Sequence, residues 1–101
     1  MICTLTARRL KPGAYDAFRA AWGGSDEGLP EEVREHWRRI YHVRDVADEN
    51  VVISFGFFDG TLEQLREIQS RLRDAQVDQI APQVEEVLLD GSYEVIEELT
   101  H

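Results

Sequence analysis

The apolar residues along this chain change period several times, and the changes mark out six elements. Ile2 to Ala7 holds Ile, Leu and two Thr with no charge, which reads as a strand. Pro12 suits the first turn of a helix. Ala14, Tyr15, Phe18, Ala21 and Trp22 follow at helical spacing, and Gly23-Gly24 ends that segment. Ser25 to Glu32, with Gly28 and Pro30, reads as a loop. His36 to Val46 reads as a second strand, with Trp37, Tyr41 and Val43 on one parity. Asp48-Glu49-Asn50 supplies a turn, and Val51 to Phe58 is the clearest strand. Thr61 with Gln64 makes a capping box for a second helix, whose buried stripe is Leu62, Leu65, Ile68 and Leu72. Val77, Ile80, Val84 and Val87 continue a helical period that Pro82 should kink or split. Asp90-Gly91 reads as a turn and Tyr93 to Leu99 as a last strand.

The resulting order is β-α-β-β-α-β, the ferredoxin-like arrangement. It makes residues 1–101 a single α+β domain with an antiparallel sheet and both helices on one face. The first and third strands are then central, and the second and last are edges.

The third strand sets a further condition. Val51, Ile53, Phe55 and Phe57 point one way, while Val52, Ser54, Gly56 and Phe58 point the other. Neither set is made for water, yet two helices cover only one face. A second copy of the chain, related by a two-fold axis, is the expected cover for the other. The edges carry opposite charge: Arg38, Arg39 and Arg44 on the second strand, and Glu94, Glu97 and Glu98 on the last. The basic edge of one subunit is expected to approach the acidic edge of its partner, setting register more than strength.

Composition narrows the field. The chain has 101 residues, 43% hydrophobic and 31% charged, as a globular domain does. Its net charge is −9, and residues 51–101 hold 3 basic against 11 acidic residues. Nucleic acid and anionic membrane surfaces are therefore not expected partners. No apolar run approaches the roughly 20 residues of a membrane helix. The basic residues follow the first apolar run instead of preceding it, so no signal peptide is expected. The single cysteine, Cys3, fits a reducing, cytoplasmic setting.

Several segments resemble the dimeric α+β barrel superfamily, in particular proteins like the antibiotic biosynthesis monooxygenases. They are the apolar first strand, LKPGAYDAFRAAW (Leu10 to Trp22), VVISFGFFDGTLEQL (Val51 to Leu65) and GSYEVIEEL (Gly91 to Leu99). The resemblance implies a homodimer whose two sheets form one barrel, with ligand pockets between the sheet and the helices of each subunit. Some members oxidise polycyclic aromatic compounds with molecular oxygen and no cofactor, others degrade haem, and many have no known activity.

Cofactor-free oxygenation needs a base, hydrogen-bond donors and aromatic walls around a phenolic substrate. His42 and Arg38 are the candidate catalytic base and anion partner. Trp22, Trp37, Tyr41 and Tyr15 are the candidate walls for a small aromatic ligand. The alternative is a non-catalytic dimeric ligand-binding or accessory protein. The oxygenase pattern also uses asparagine, but the one asparagine, Asn50, falls in a turn. Thr4 and Thr6 stand on the first strand where an amide is common. Haem degraders of this fold bind iron through a histidine on or after the second helix, and no histidine occurs between Val43 and Thr100. No metal site is expected: His36 and His42 stand about 20 Å apart on an extended strand, against ligand bonds of about 2 Å.

Overall fold

A computed structural model of the chain describes residues 1–22 and 35–100, without the side chains of 71–77. The expectations for Gly23-Gly24, the loop 25–32 and the side chains of Leu72 and Val77 lie outside the described residues. Four strands, β1 (Ile2–Leu10), β2 (Trp37–Arg44), β3 (Val51–Phe58) and β4 (Val84–Glu94), form one sheet in the order β2-β3-β1-β4. Every neighbouring pair is antiparallel. Helices α1 (Tyr15–Ala21) and α2 (Leu62–Ile80) follow β1 and β3, and a 3-10 turn (Ala81–Gln83) leads into β4. This is the ferredoxin-like arrangement, with β1 and β3 central and β2 and β4 at the edges. No helix among the described residues is long and apolar enough to cross a membrane.

β3 shows which face the helices cover. Val52, Ser54, Gly56 and Phe58 are buried, whereas Ile53, Phe55 and Phe57 between them are only half-buried. Phe18 of α1, Leu10, Val52 and Ile80 make the core on the covered side. Phe18, Phe58 and Leu65 have no exposed surface. Each such side chain contributes roughly 1.5–3 kcal/mol of transfer free energy. That packing holds α1, which has only seven residues and no side-chain cap. α2 has the expected capping box: the Thr61 N–H donates to Gln64 Oε1 at 2.9 Å and the Gln64 N–H to Thr61 Oγ1 at 3.2 Å.

Five boundaries differ from the sequence reading. β1 runs on through Arg8 and Arg9 to Leu10, because its neighbours β3 and β4 still need backbone partners there. Pro12 opens a turn instead of α1; the Ala14 N–H donates to the Lys11 carbonyl, and Gly13 takes φ +72°, as position three of a type II turn requires. Leu62 is exposed, so the buried stripe of α2 starts at Leu65. Helical periodicity past Ile80 is accidental: Pro82 begins the 3-10 turn, and Val84 is already in β4. Asp90-Gly91 lies inside β4, not in a turn, and residues 95–100 are irregular. The acidic edge is therefore carried by Glu85, Glu86, Asp90 and Glu94.

The opposite face of the sheet has no cover among the described residues. Leu5, Ile53, Phe55 and Phe57 occupy its centre, and Tyr41, Val43, Leu89 and Tyr93 stand 39–49% exposed around them. Cys3 is on this face too, opposite Phe57 and Tyr93, and burial pushes its thiol pKa up.

Candidate functional site

Directly paired residues of an antiparallel sheet point to the same side. One row of such pairs crosses all four strands beneath the helices: Asp90 of β4, Thr6 of β1, Ser54 of β3 and His42 of β2. It is a polar row that crosses the covered face. His42 Nδ1 lies 2.7 Å from Ser54 Oγ, and the Thr6 hydroxyl donates to Asp90 Oδ1 at 3.1 Å.

Aromatic rings surround the imidazole. Trp22, at the C-terminal cap of α1, meets it edge-on at 4.6 Å, and Phe18 does so at 5.9 Å. Burial lowers the His42 pKa first, and the cations Arg19 and Arg8 lower it further. All three effects favour the neutral form of the ring. Nδ1 is committed to Ser54, and Nε2 has no hydrogen-bond partner among the described residues.

Arg8 is the next residue of β1 on this face. Its guanidinium lies 5.4 Å over the Phe18 ring. Burial lowers its pKa, and the Asp90 carboxylate opposes that shift. Its Nη1 is buried and has no hydrogen-bond partner among the described residues. A cation over an aromatic ring gains about 0.5–2 kcal/mol. An unmet buried donor costs about 1–3 kcal/mol.

The structure brings together only part of the expected set. His42 and Trp22 are in contact. Tyr15 reaches them only through Phe18, 6.2 Å away, and its other side carries the Arg44 guanidinium at 5.2 Å. Tyr15 and Arg44 line a cleft of about 180 Å³ with Lys11, Glu49 and Asn50; His42 is not among its walls. Trp37 and Tyr41 do not share a face. A bulge between Trp37 and Arg39 turns Trp37 to the covered side, where it packs on Phe58 at 4.9 Å. It stands roughly 15 Å along β2 from His42. Tyr41 lies on the uncovered face, stacked on Phe55 at 5.1 Å. Arg38 is exposed and donates to Asp59 at 2.7 Å, so it is engaged away from the imidazole. Its hydrogen bond and charge hold the Asp59 carboxyl below its usual pKa. His36 precedes β2, with Nδ1 2.8 Å from the Asp59 carbonyl oxygen.

Arg8, Thr6, Ser54 and Asp90 were missed as site residues. The signal available was parity: Thr6 and Arg8 share a side of β1, and Ser54 is the one polar side chain in β3. Strand parity joins these to His42 only once the register between strands is known.

No protein-family model matches the chain, and no functionally curated protein matches its sequence. Solved structures do match in fold. A candidate antibiotic biosynthesis monooxygenase from Chloroflexus aurantiacus superposes with a TM-score of 0.69 at 16% identity, over 98% of this chain and 96% of that one. One from Nitrosomonas europaea gives 0.69 at 14% identity, over 96% and 100%. An uncharacterised NIPSNAP domain protein from Burkholderia xenovorans gives 0.64 at 18% identity, over the whole of both chains. The chain thus has the fold that its sequence resemblance implies, and the likeness extends to the fold alone.

Proposed function

We propose that the chain is a homodimer that binds an aromatic or polyketide-like compound between sheet and helices, and oxidises it as a cofactor-independent monooxygenase. The observation that carries this reading is the His42 imidazole, hydrogen-bonded to Ser54 and walled by Trp22 and Phe18. His42 takes the proton of a phenolic hydroxyl; the O–H bond breaks and its electron pair stays on oxygen. That pair delocalises onto a ring carbon, which bonds one atom of molecular oxygen. The O–O bond then breaks, the other oxygen leaves as water with the two protons lost from the ring carbon and the hydroxyl, and the phenol ends as a quinone. Two names among the fold's neighbours support oxygenase chemistry.

The uncovered apolar face supports the dimer. A contiguous aromatic and aliphatic surface of this kind usually marks an interface. With Arg38 held by Asp59 and Arg44 over Tyr15, edge-to-edge charge pairing falls chiefly to Arg39.

Oxygen uptake by the purified protein with a panel of polycyclic phenols, without added metal or flavin, tests the activity. Uptake should occur and be lost in His42→Ala. A panel that binds but consumes no oxygen overturns the oxygenase and leaves a non-catalytic ligand-binding or accessory protein. That second reading is favoured by Asn50, whose backbone N–H donates to Asp48 Oδ1 in a turn beside the Tyr15 cleft, away from His42.

A further inference from the structure

We propose that Arg8 binds the ionised oxygen of the ligand, so that the site selects compounds with an acidic hydroxyl, bound as phenolate or enolate. The inference rests on the reading of the His42 site given above and names its ligand class.

A guanidinium carries five N–H donors and keeps its charge at any ordinary pH. Arg9, the next residue, faces the other way and is matched twice, by Glu86 at 2.9 Å and Asp48 at 3.7 Å. Arg8 has no ion pair within 4 Å among the described residues, and its guanidinium lies over the face of Phe18. Its Nη1 is buried with no acceptor. Buried donors are normally satisfied, so one left open beside a cluster of polar groups is explained by an acceptor from outside the chain.

The position fits an oxyanion. Arg8 and His42 flank the same Phe18 ring, at 5.4 Å and 5.9 Å. A hydroxyl set between them can lose its proton to His42 Nε2 while its oxygen takes the Nη1–H of Arg8, and the total charge of the group does not change. Asp90 favours the charged form of Arg8, and its carboxylate would repel an anion placed on its own side of Arg8. The ligand oxygen is therefore directed to the His42 side. Arg19 adds positive potential from α1. Charge-assisted hydrogen bonds to a guanidinium are about twice as strong as neutral ones, so a phenolate gains over the phenol.

The test uses the full chain with two probes of nearly the same shape, 4-nitrophenol and its methyl ether 4-nitroanisole, in a spectroscopic titration across neutral pH. The wild-type protein should bind the phenolate about tenfold more tightly than the ether, with the apparent pKa of bound nitrophenol lowered by about one unit. Arg8→Gln should remove that preference, and Arg8→Lys should keep most of it, each in a protein that still unfolds cooperatively. Equal wild-type affinity for the two probes overturns the proposal whether or not the variants fold, and leaves the aromatic site standing. A preference that survives in folded Arg8→Gln also overturns it. Binding of neither probe overturns it together with the site.

Discussion

His42 and Ser54 face each other across the β2–β3 ladder, with Nδ1 2.7 Å from Oγ, on the side of the sheet that α1 covers. Ser54 is 6% exposed, so this hydroxyl has little access to water and serves chiefly to orient the ring. Ser54→Ala should cost about 1–3 kcal/mol by leaving Nδ1 unmet. The measurement is the urea midpoint, together with ligand affinity. Ser54→Thr keeps the hydroxyl and should recover affinity; if it does not, orientation by the hydroxyl is not what the position supplies.

Acid should destabilise the fold through the same imidazole. Burial, then Arg19 and Arg8, hold the folded pKa of His42 below its ordinary value of about 6.5. Between the two pKa values the unfolded chain binds more protons, so stability falls as pH drops below about 6.5. His42→Gln should flatten the melting temperature between about pH 7 and pH 5 relative to wild type. Parallel curves for the two proteins would mean that His42 carries no such linkage.

Gly56 lies under the Trp37 indole. A Cβ there would sit 2.9 Å from Trp37 Cδ1 and 3.1 Å from the Arg39 carbonyl oxygen. Neither neighbour is the free end of a flexible chain. Gly56→Ala should cost about 1–3 kcal/mol and change tryptophan fluorescence. An unchanged unfolding midpoint would show that the bulge at Arg38 absorbs the methyl group.

The sequence and the structure agree where local pattern and tertiary packing ask for the same thing. β3 splits into the two expected faces, Thr61 and Gln64 cap α2, and both edge strands carry charge, although central β1 also runs through Arg8 and Arg9. They part where register matters. One bulge reverses the parity of Trp37 relative to Tyr41, so two residues that read as one face stand on opposite sides. Val84 and Val87 keep a helical spacing inside a bulged strand. Arg8 reads as surface because it is charged, yet its long stem lets the guanidinium reach the Phe18 ring. The polar row from Asp90 to His42 joins four segments distant in sequence.

The uncovered face makes its own prediction. Phe55 stands at its centre, between Tyr41 and Phe57. Phe55→Glu should convert a dimer to a monomer at micromolar concentration while circular dichroism stays native, because the position contributes little to the α1-side core. Wild type that sediments as a single chain would remove the dimer.

An NMR titration of the isotope-labelled full chain with a phenolic ligand locates the binding site. A ligand held beside His42 should give its largest shift changes on the Trp22 indole, the His42 ring, Ser54 and Arg8. Changes confined to Tyr41, Phe55 and Tyr93 on the opposite face, or to the cleft at Tyr15 and Asn50, would contradict that placement.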